Sequence, residues 1–324
     1  MDRKKKTLLI GLVVLAAIAI FLGFLALQKQ AREQDANLVS PEDAAQRYRA
    51  AITYQGKSYP LKRNSSAVLL IGTDNFIDDA KQHEGLTYNF NLADFLVVLF
   101  FDHKAKTITP IQICRDTMCQ APVTSGETKR MQIALSHTYG SGRADSCKNT
   151  RTAVEGLLFD APIDYYLAFT MDTVPYVNDL LGGITVTLED DIPALGPGYV
   201  KGASVTLRGT DALRFVRYRD SSLLDDNLRR MAHHRLYLTG LADAVRKASA
   251  EDKDFAARVY DLLDKYLNTD LTVENMSDLL NNLNEYTILP TVTADGKYQP
   301  GEEFPEFIVD EASLWDCVHS VYCT

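Results

Sequence analysis

The sequence predicts an α/β layered domain held outside a membrane by one N-terminal spanning helix, and three observations predict it. Short runs of Val, Leu, Ile and Phe bounded by polar residues alternate with stretches of helical spacing between residues 67 and 188. Such runs suit strands buried on both faces between helices. An uncharged stretch, residues 7–27, follows Arg3, Lys4, Lys5 and Lys6. The 324 residues are 46% hydrophobic and 24% charged, as expected of a packed globular chain, which excludes a disordered or low-complexity protein.

At about 1.5 Å per helical residue, residues 7–27 cover a hydrocarbon core of roughly 30 Å. The basic cluster keeps residues 1–6 cytoplasmic, so the remaining chain is expected outside the cytoplasm. A cleavable signal peptide would have a shorter apolar region, about 7–15 residues, and a small-x-small cleavage site, and neither is seen. Residues 28–62 are polar and helix-prone without sustained hydrophobic periodicity, and read as a stalk.

Charge is unevenly distributed. Residues 1–35 hold six basic and three acidic side chains, leaving 28 basic against 40 acidic in the remainder. An acidic ectodomain is a poor partner for nucleic-acid phosphates, so nucleic-acid binding is excluded. The five cysteines, Cys114, Cys119, Cys147, Cys317 and Cys323, all follow the anchor and none forms a Cys-x-x-Cys pair. Disulfides are therefore expected, Cys317 with Cys323 across a short C-terminal loop and Cys119 with Cys147 around an insertion, with five reduced thiols as the alternative. Cys114 reads as a buried strand residue.

Strands are expected at 67–72, 93–101, 106–114, 164–170 and 184–188. Helices are expected at 149–159 and at 172–181, the latter stopped by Gly182 and Gly183. Further helical stretches cover 226–250, 252–266 and 272–286, before a tail bearing Pro and Gly.

Three features could carry chemistry. Arg214, Arg217 and Arg219, followed by Arg229, Arg230 and Arg235, concentrate cations in an acidic domain. The planar guanidinium fits phosphate oxygens, so a phosphate or pyrophosphate site is one reading; a solvated helix face or ion pairs with Asp220, Asp225 and Asp226 is the other. Asp74 and Asp94 stand at the boundaries of apolar strands. Brought together there they would suit a hard divalent cation such as Mg²⁺, whereas a lone Asp beside a strand forms a turn or caps a helix. Arg115 leaves a strand within Cys114-Arg115-Asp116-Thr117, and Asp116 either supports it or forms an Asx-turn.

Together and in order, LLIGTDN, ADFLVVLFFDHKAKTITPIQICRDT, IALSHTYG, AVEGLLFDAPIDYYLAFTMD, VNDLLGGITVTLEDD, LRGTDALRFVRYRD and NLRRMAHHR resemble the LytR-CpsA-Psr family of envelope proteins, over roughly residues 66–240. The resemblance implies an αβα sandwich with a central mixed sheet, spanning 63–245 and followed by a helical extension, 246–324. It implies transfer of a glycopolymer, teichoic acid or capsular, from a polyprenyl-pyrophosphate carrier to a peptidoglycan hydroxyl. Asp74 and Asp94 match the family's metal carboxylates for Mg²⁺. Arg115, Arg217 and Arg219 match its catalytic arginines, and these with Arg230 and His233 would bind the pyrophosphate.

The chain departs from that pattern. Phe76 and the neighbourhood of Leu92 lack expected arginines, Cys114 replaces a usual Pro, and His233-His234 replaces a common Arg-Gln. His233 in an arginine's place would strengthen phosphate binding in mild acid; an ordinary helix surface is the alternative. Two other functions compete with transfer, a catalytically weakened lipid-pyrophosphate binder and a polyprenyl-pyrophosphate pyrophosphatase. A transcriptional regulator is disfavoured by the acidic extracytoplasmic domain and the lack of a helix-turn-helix.

Overall fold

The computed structural model describes residues 50–74, 81–83, 86–89, 91–123, 127–220, 223–251, 266–271 and 286–324. The expected spanning helix at 7–27, most of the stalk and the helices at 252–266 and 272–286 lie outside the described residues, apart from Tyr266 and Tyr286. Among the described residues, no helix is long and apolar enough to cross a membrane.

Where the end of the stalk was expected, β1 (Ala51–Tyr54) and β2 (Lys57–Pro60) form an antiparallel hairpin through a Gln55-Gly56 turn. Ile52, Tyr54, Tyr59 and Leu61 pack on the core, and this alternating set is too short to register as sustained periodicity. Next come β3 (Ser65–Thr73), the short pair β4 (Lys81–His83) and β5 (Leu86–Tyr88), β6 (Ala93–Asp102) and β7 (Thr107–Ile113). The hairpin β8 (Met118–Pro122) and β9 (Thr128–Gln132) follows, then a 3₁₀ segment Ile133–Thr138, helix α1 (Ala144–Leu157) and β10 (Tyr165–Thr170).

The described residues divide into two compact units, one of residues 50–170, 267–271 and 291–324, the other of 171–251, 266 and 286–290. In the first, the sheet runs β13 (Leu267–Thr269), β10, β3, β6, β7. β3 and β10 are parallel and the other pairs antiparallel, so the sheet is mixed. The parallel pair requires a crossover, and α1 lies within it, burying Cys147, Thr150, Ala153 and Val154. The core strands β3 and β6 are almost entirely buried along their apolar runs.

The second unit holds α2 (Thr173–Leu180), β11 (Ile184–Thr187) paired with β12 (Ser204–Leu207), α3 (Thr210–Arg217), α4 (Asp226–Glu251) and the short strand β14 (Thr287–Ile288). Gly182, with φ +74°, ends α2 as the sequence predicts. At Gly240 a Cβ would meet the Thr185 carbonyl oxygen at 2.5 Å, so a side chain there would push α4 off β11.

The C-terminal tail docks on the first unit's core. β15 (Gly296–Gln299) and β16 (Glu306–Val309) form a hairpin, followed by α5 (Glu311–Tyr322), where the sequence suggested a loop. Asp310 caps α5 by accepting from the Ser313 amide at 2.8 Å. Leu314, Trp315, Val318, Val321 and Tyr322 recur at helical spacing and are buried. Trp315 stacks on Tyr54 at 4.3 Å and meets Tyr59 at 4.7 Å and Phe159 at 5.4 Å, tying the first hairpin to the last helix.

All five cysteines are free thiols, contrary to the disulfides expected. Cys317 lies within α5, whereas Cys323 follows its end in extended backbone bridged to Leu61, where a short loop had been expected between them. The Cys147 sulfur faces the His137 ring, and Cys119 packs against the core. Burial pushes the Cys119 thiol up to about 12 and the Cys147 thiol higher still, so both stay protonated.

Trp315→Ala should lower unfolding free energy by about 3–5 kcal/mol, since a large buried ring is lost and its neighbours cannot collapse. Urea unfolding at pH 7 checks this; an unchanged midpoint would mean that α5 is not held by the ring cluster.

Candidate functional site

Sheet register brings the first three candidates to one edge. Thr73 pairs with Ala93 and Gly72 with Phe95, so Asp94 is the extra residue of a β-bulge and Asp74 leaves β3 beside it. A bulge turns its unpaired residue out of the ladder, which suits a functional side chain. Leu96 pairs with Ile113, so the same antiparallel register carries Arg115, two residues past Ile113, to Asp94, two residues before Leu96.

Arg115 forms an ion pair with Asp94 through a terminal guanidinium nitrogen, and its Nε lies 3.4 Å from Asp116 Oδ1. The side chains of Arg115 and Asp94 are only 12% and 10% exposed. A guanidinium this far from water needs matched anions, and two carboxylates flank it. Asp116 does more than shape a turn: its Oδ2 accepts from Tyr298 Oη at 2.8 Å and its Oδ1 from Gln132 Nε2 at 3.3 Å. Cys114, where the sequence departs from the usual Pro, sets its sulfur 3.2 Å from Tyr298 Oη. Tyr298 and Gln132 escaped sequence reasoning, because a tyrosine and a glutamine remote in the chain carry no local signal.

Asp74 and Asp94 supply hard carboxylate oxygens at this edge, the donor type Mg²⁺ takes in ones and twos while keeping waters and substrate phosphates. Among the described residues no group of three or more His, Cys, Asp or Glu could hold a metal ion. The pair thus fits an ion that draws its remaining ligands from water and phosphate, and does not fit a site closed by protein alone.

Arg217, Arg219, Arg230 and His233 belong to the second unit. Arg217 ends α3, and it and Arg219 are exposed. Arg230 is buried in α4, with its Nε donating to Asn227 Oδ1 at 3.0 Å. His233 and His234 are both buried, so neither takes the helix-surface position weighed for them. His233, 1% exposed, donates from Nε2 to Asp190 Oδ1 at 2.9 Å. Its ring packs against Phe215 at 5.0 Å and Tyr218 at 6.0 Å. Asp190 also takes Arg229 Nε at 3.2 Å, and the Arg229 guanidinium lies over the Tyr218 ring. Asp190 therefore holds one guanidinium and one imidazole at once. Its place in VTLEDD gave no hint of that.

Two further histidines are structural. His137 is fully buried, its Nδ1 donating to the Asn91 carbonyl at 3.1 Å while its Nε2 faces Cys147 Sγ at 3.7 Å. Burial holds its pKa down at about 4. His234 donates to the Val216 carbonyl at 2.8 Å and is held at about 3, again by burial.

The family model LytR_cpsA_psr matches residues 25–307, taking in both units and the β15–β16 hairpin up to Phe307. The chain belongs to this family. Among curated relatives, the polyisoprenyl-teichoic acid–peptidoglycan teichoic acid transferase TagU of Bacillus licheniformis is 27% identical over 253 residues, 77% of this chain and 74% of that protein. TagU of Bacillus subtilis is 27% identical over 218 residues, 67% of this chain and 64% of that protein. Among solved structures of similar fold, Bacillus subtilis TagV has a TM-score of 0.59 at 20% identity, covering 80% of this chain and 96% of that one. The Streptococcus agalactiae protein gbs0355 has a TM-score of 0.62 at 15% identity, covering 79% and 86%. These structures share the mixed α/β fold with its central mixed sheet.

The histidine environments set an acid limit on stability. His137 has a lower pKa folded than unfolded, so the unfolded chain takes the proton first as pH falls; its contribution is complete above about 6.5 and is lost toward 4. At pH 5 the loss is about 2 kcal/mol. His137→Gln should shrink the stability difference between pH 7 and pH 5 by about that amount in urea unfolding. Equal differences in parent and variant would contradict it.

Proposed function

We propose that the chain is a membrane-anchored phosphotransferase moving a glycopolymer from a polyprenyl-pyrophosphate carrier to a peptidoglycan hydroxyl. In this reading residues 7–27 span the membrane, residues 1–6 stay cytoplasmic and the domain faces the wall. The observation that carries the proposal is Arg115, a partly buried guanidinium matched to Asp94 where the strand ends also bear Asp74, in a chain of this family. The relatives named as teichoic acid transferases support a polyisoprenyl-linked teichoic acid as the polymer.

In the reaction the acceptor sugar oxygen forms a bond to the glycan-side phosphorus. The bond from that phosphorus to the bridging oxygen breaks, polyprenyl phosphate leaves, and the hydroxyl proton passes to solvent. A phosphodiester link remains. No protein nucleophile is needed, so the work is orientation and stabilisation of phosphate charge. Arg115 does this as a fixed, permanently charged donor whose Asp94 and Asp116 partners limit its motion. Asp74 and Asp94 would hold Mg²⁺, which when bound neutralises charge on phosphate oxygens. Arg217, Arg219, Arg230 and His233 are the further phosphate-binding residues of this reading, resting on their places in the family's order.

The test is a transfer assay on the full chain in detergent, with a lipid-pyrophosphate-linked glycan and peptidoglycan fragments. Arg115→Ala and Asp94→Ala should each lower linked product by about 100-fold or more, and chelation of divalent ions should abolish turnover until Mg²⁺ is restored. Retained transfer in both variants overturns the assignment. Phosphate release without a glycan linkage would instead identify a pyrophosphatase, and binding without product a weakened carrier-binding protein.

A further inference from the structure

The C-terminal hairpin reaches the candidate site through one side chain. Tyr298, on β15, donates from Oη to Asp116 Oδ2 at 2.8 Å. With its proton so committed, Oη accepts from the Cys114 thiol at 3.2 Å. Asp116 is buried, and its other oxygen accepts from Gln132 Nε2 and lies 3.4 Å from Arg115 Nε. The same hairpin clamps the surrounding backbone. Phe307 donates its amide to the Asp116 carbonyl at 3.0 Å, and Gln132 Nε2 also donates to the Pro305 carbonyl at 2.6 Å. Burial, then the nearby Cys114 and Asp116, push the Tyr298 hydroxyl well above its ordinary pKa, so it stays protonated and remains a donor.

The alternatives for these contacts are weaker. A tyrosine needed only for packing would not require its hydroxyl between two polar atoms; the ring already meets Phe307 at 5.1 Å. A carboxylate needed only for a turn would bond its own backbone, whereas Asp116 spends both oxygens on side chains from β9 and β15. In this relay Tyr298 fixes the rotation of the Asp116 carboxyl, and that carboxyl sets its charge 3.4 Å from Arg115 Nε as an ion-pair partner, without a hydrogen bond to it. Asp94 holds a terminal nitrogen of the same fork. Carboxylate charge on two sides of a planar fork biases its orientation.

From this relay we infer that Tyr298 is a positioning residue for Arg115, acting through Asp116, and that the C-terminal hairpin is thereby part of the phosphate-handling machinery. The inference rests on the phosphotransferase reading for what Arg115 does, and on geometry alone for what Tyr298 does to it.

Tyr298→Phe removes the hydroxyl and keeps the ring, and Asp116→Asn keeps the shape and removes the charge. In the transfer assay Tyr298→Phe should lower kcat/KM about tenfold with melting temperature nearly unchanged, because a misaimed guanidinium loses its hold on phosphate before it costs folding. In an Arg115→Ala background the same change should have no further effect, the non-additivity expected of groups acting as a unit. Affinity for inorganic pyrophosphate, measured by calorimetry on the full chain in detergent, gives a readout free of turnover. It should weaken about tenfold in Arg115→Ala, Asp116→Asn and Tyr298→Phe. If Arg115→Ala binds pyrophosphate as the parent does, the phosphate role of Arg115 fails, and this inference with it. If Arg115→Ala weakens binding while Tyr298→Phe changes neither affinity nor kcat/KM, the relay is overturned and the phosphotransferase reading stands. Parallel losses of melting temperature and activity in Tyr298→Phe, additive with Arg115→Ala, would make Tyr298 structural and also overturn it.

Discussion

A guanidinium withdrawn from water at the end of a sheet cannot stand alone, and the architecture around Arg115 follows from that constraint. Removing one partner of a buried ion pair leaves an uncompensated charge, which costs about 3–5 kcal/mol. Asp94 therefore has to be aimed at Arg115, and the β-bulge at the start of β6 does the aiming. Asp116 has to be held on the other side, and it is held from two directions by Gln132 and Tyr298. The strands bring the charges together, and the loops and the tail keep them in register.

The same requirement gives the C-terminal segment a purpose that its composition hides. Residues 291–324 return to the first unit, where α5 buries Trp315 against the opening hairpin and β15–β16 presses on the Arg115 turn. Core packing and site geometry are thus served by one stretch of chain. Cys114 fits this arrangement as well: a proline at that position has no group to offer the Tyr298 hydroxyl, whereas the thiol does.

The second unit shows a different way of keeping cations in an acidic domain. Asp190 ties Arg229 to His233, and the His233 ring is walled by Phe215 and Tyr218. The imidazole at an arginine position of the family is thereby buried and fixed by a carboxylate, while Arg217 and Arg219 remain at the surface. Guanidinium groups in this unit range from exposed, at Arg217 and Arg219, to buried, at Arg230.

Much of the fold was legible in the residues. The apolar runs at 67–72 and 93–101 and the Gly182-Gly183 stop mark elements that the structure contains, because hydrophobic patterning and backbone permissiveness are local properties. Arg115, Asp74 and Asp94 could be picked out because a charge at the end of an apolar run is conspicuous in one dimension. The hairpin at 51–60, the tail's return, the free thiols and the partners Gln132, Tyr298 and Asp190 could not be, since each depends on which remote surfaces meet. Cys317 and Cys323 look like a clasp in sequence, but one lies within α5 and the other bridges Leu61 past its end. By itself, then, the sequence marked the strongly apolar strands, the patterned helices and the charges that stand at their ends. Only tertiary structure decided which of those charges face one another, because strand register, a bulge and a tail returning across more than a hundred residues bring together groups whose local pattern carries no information about one another.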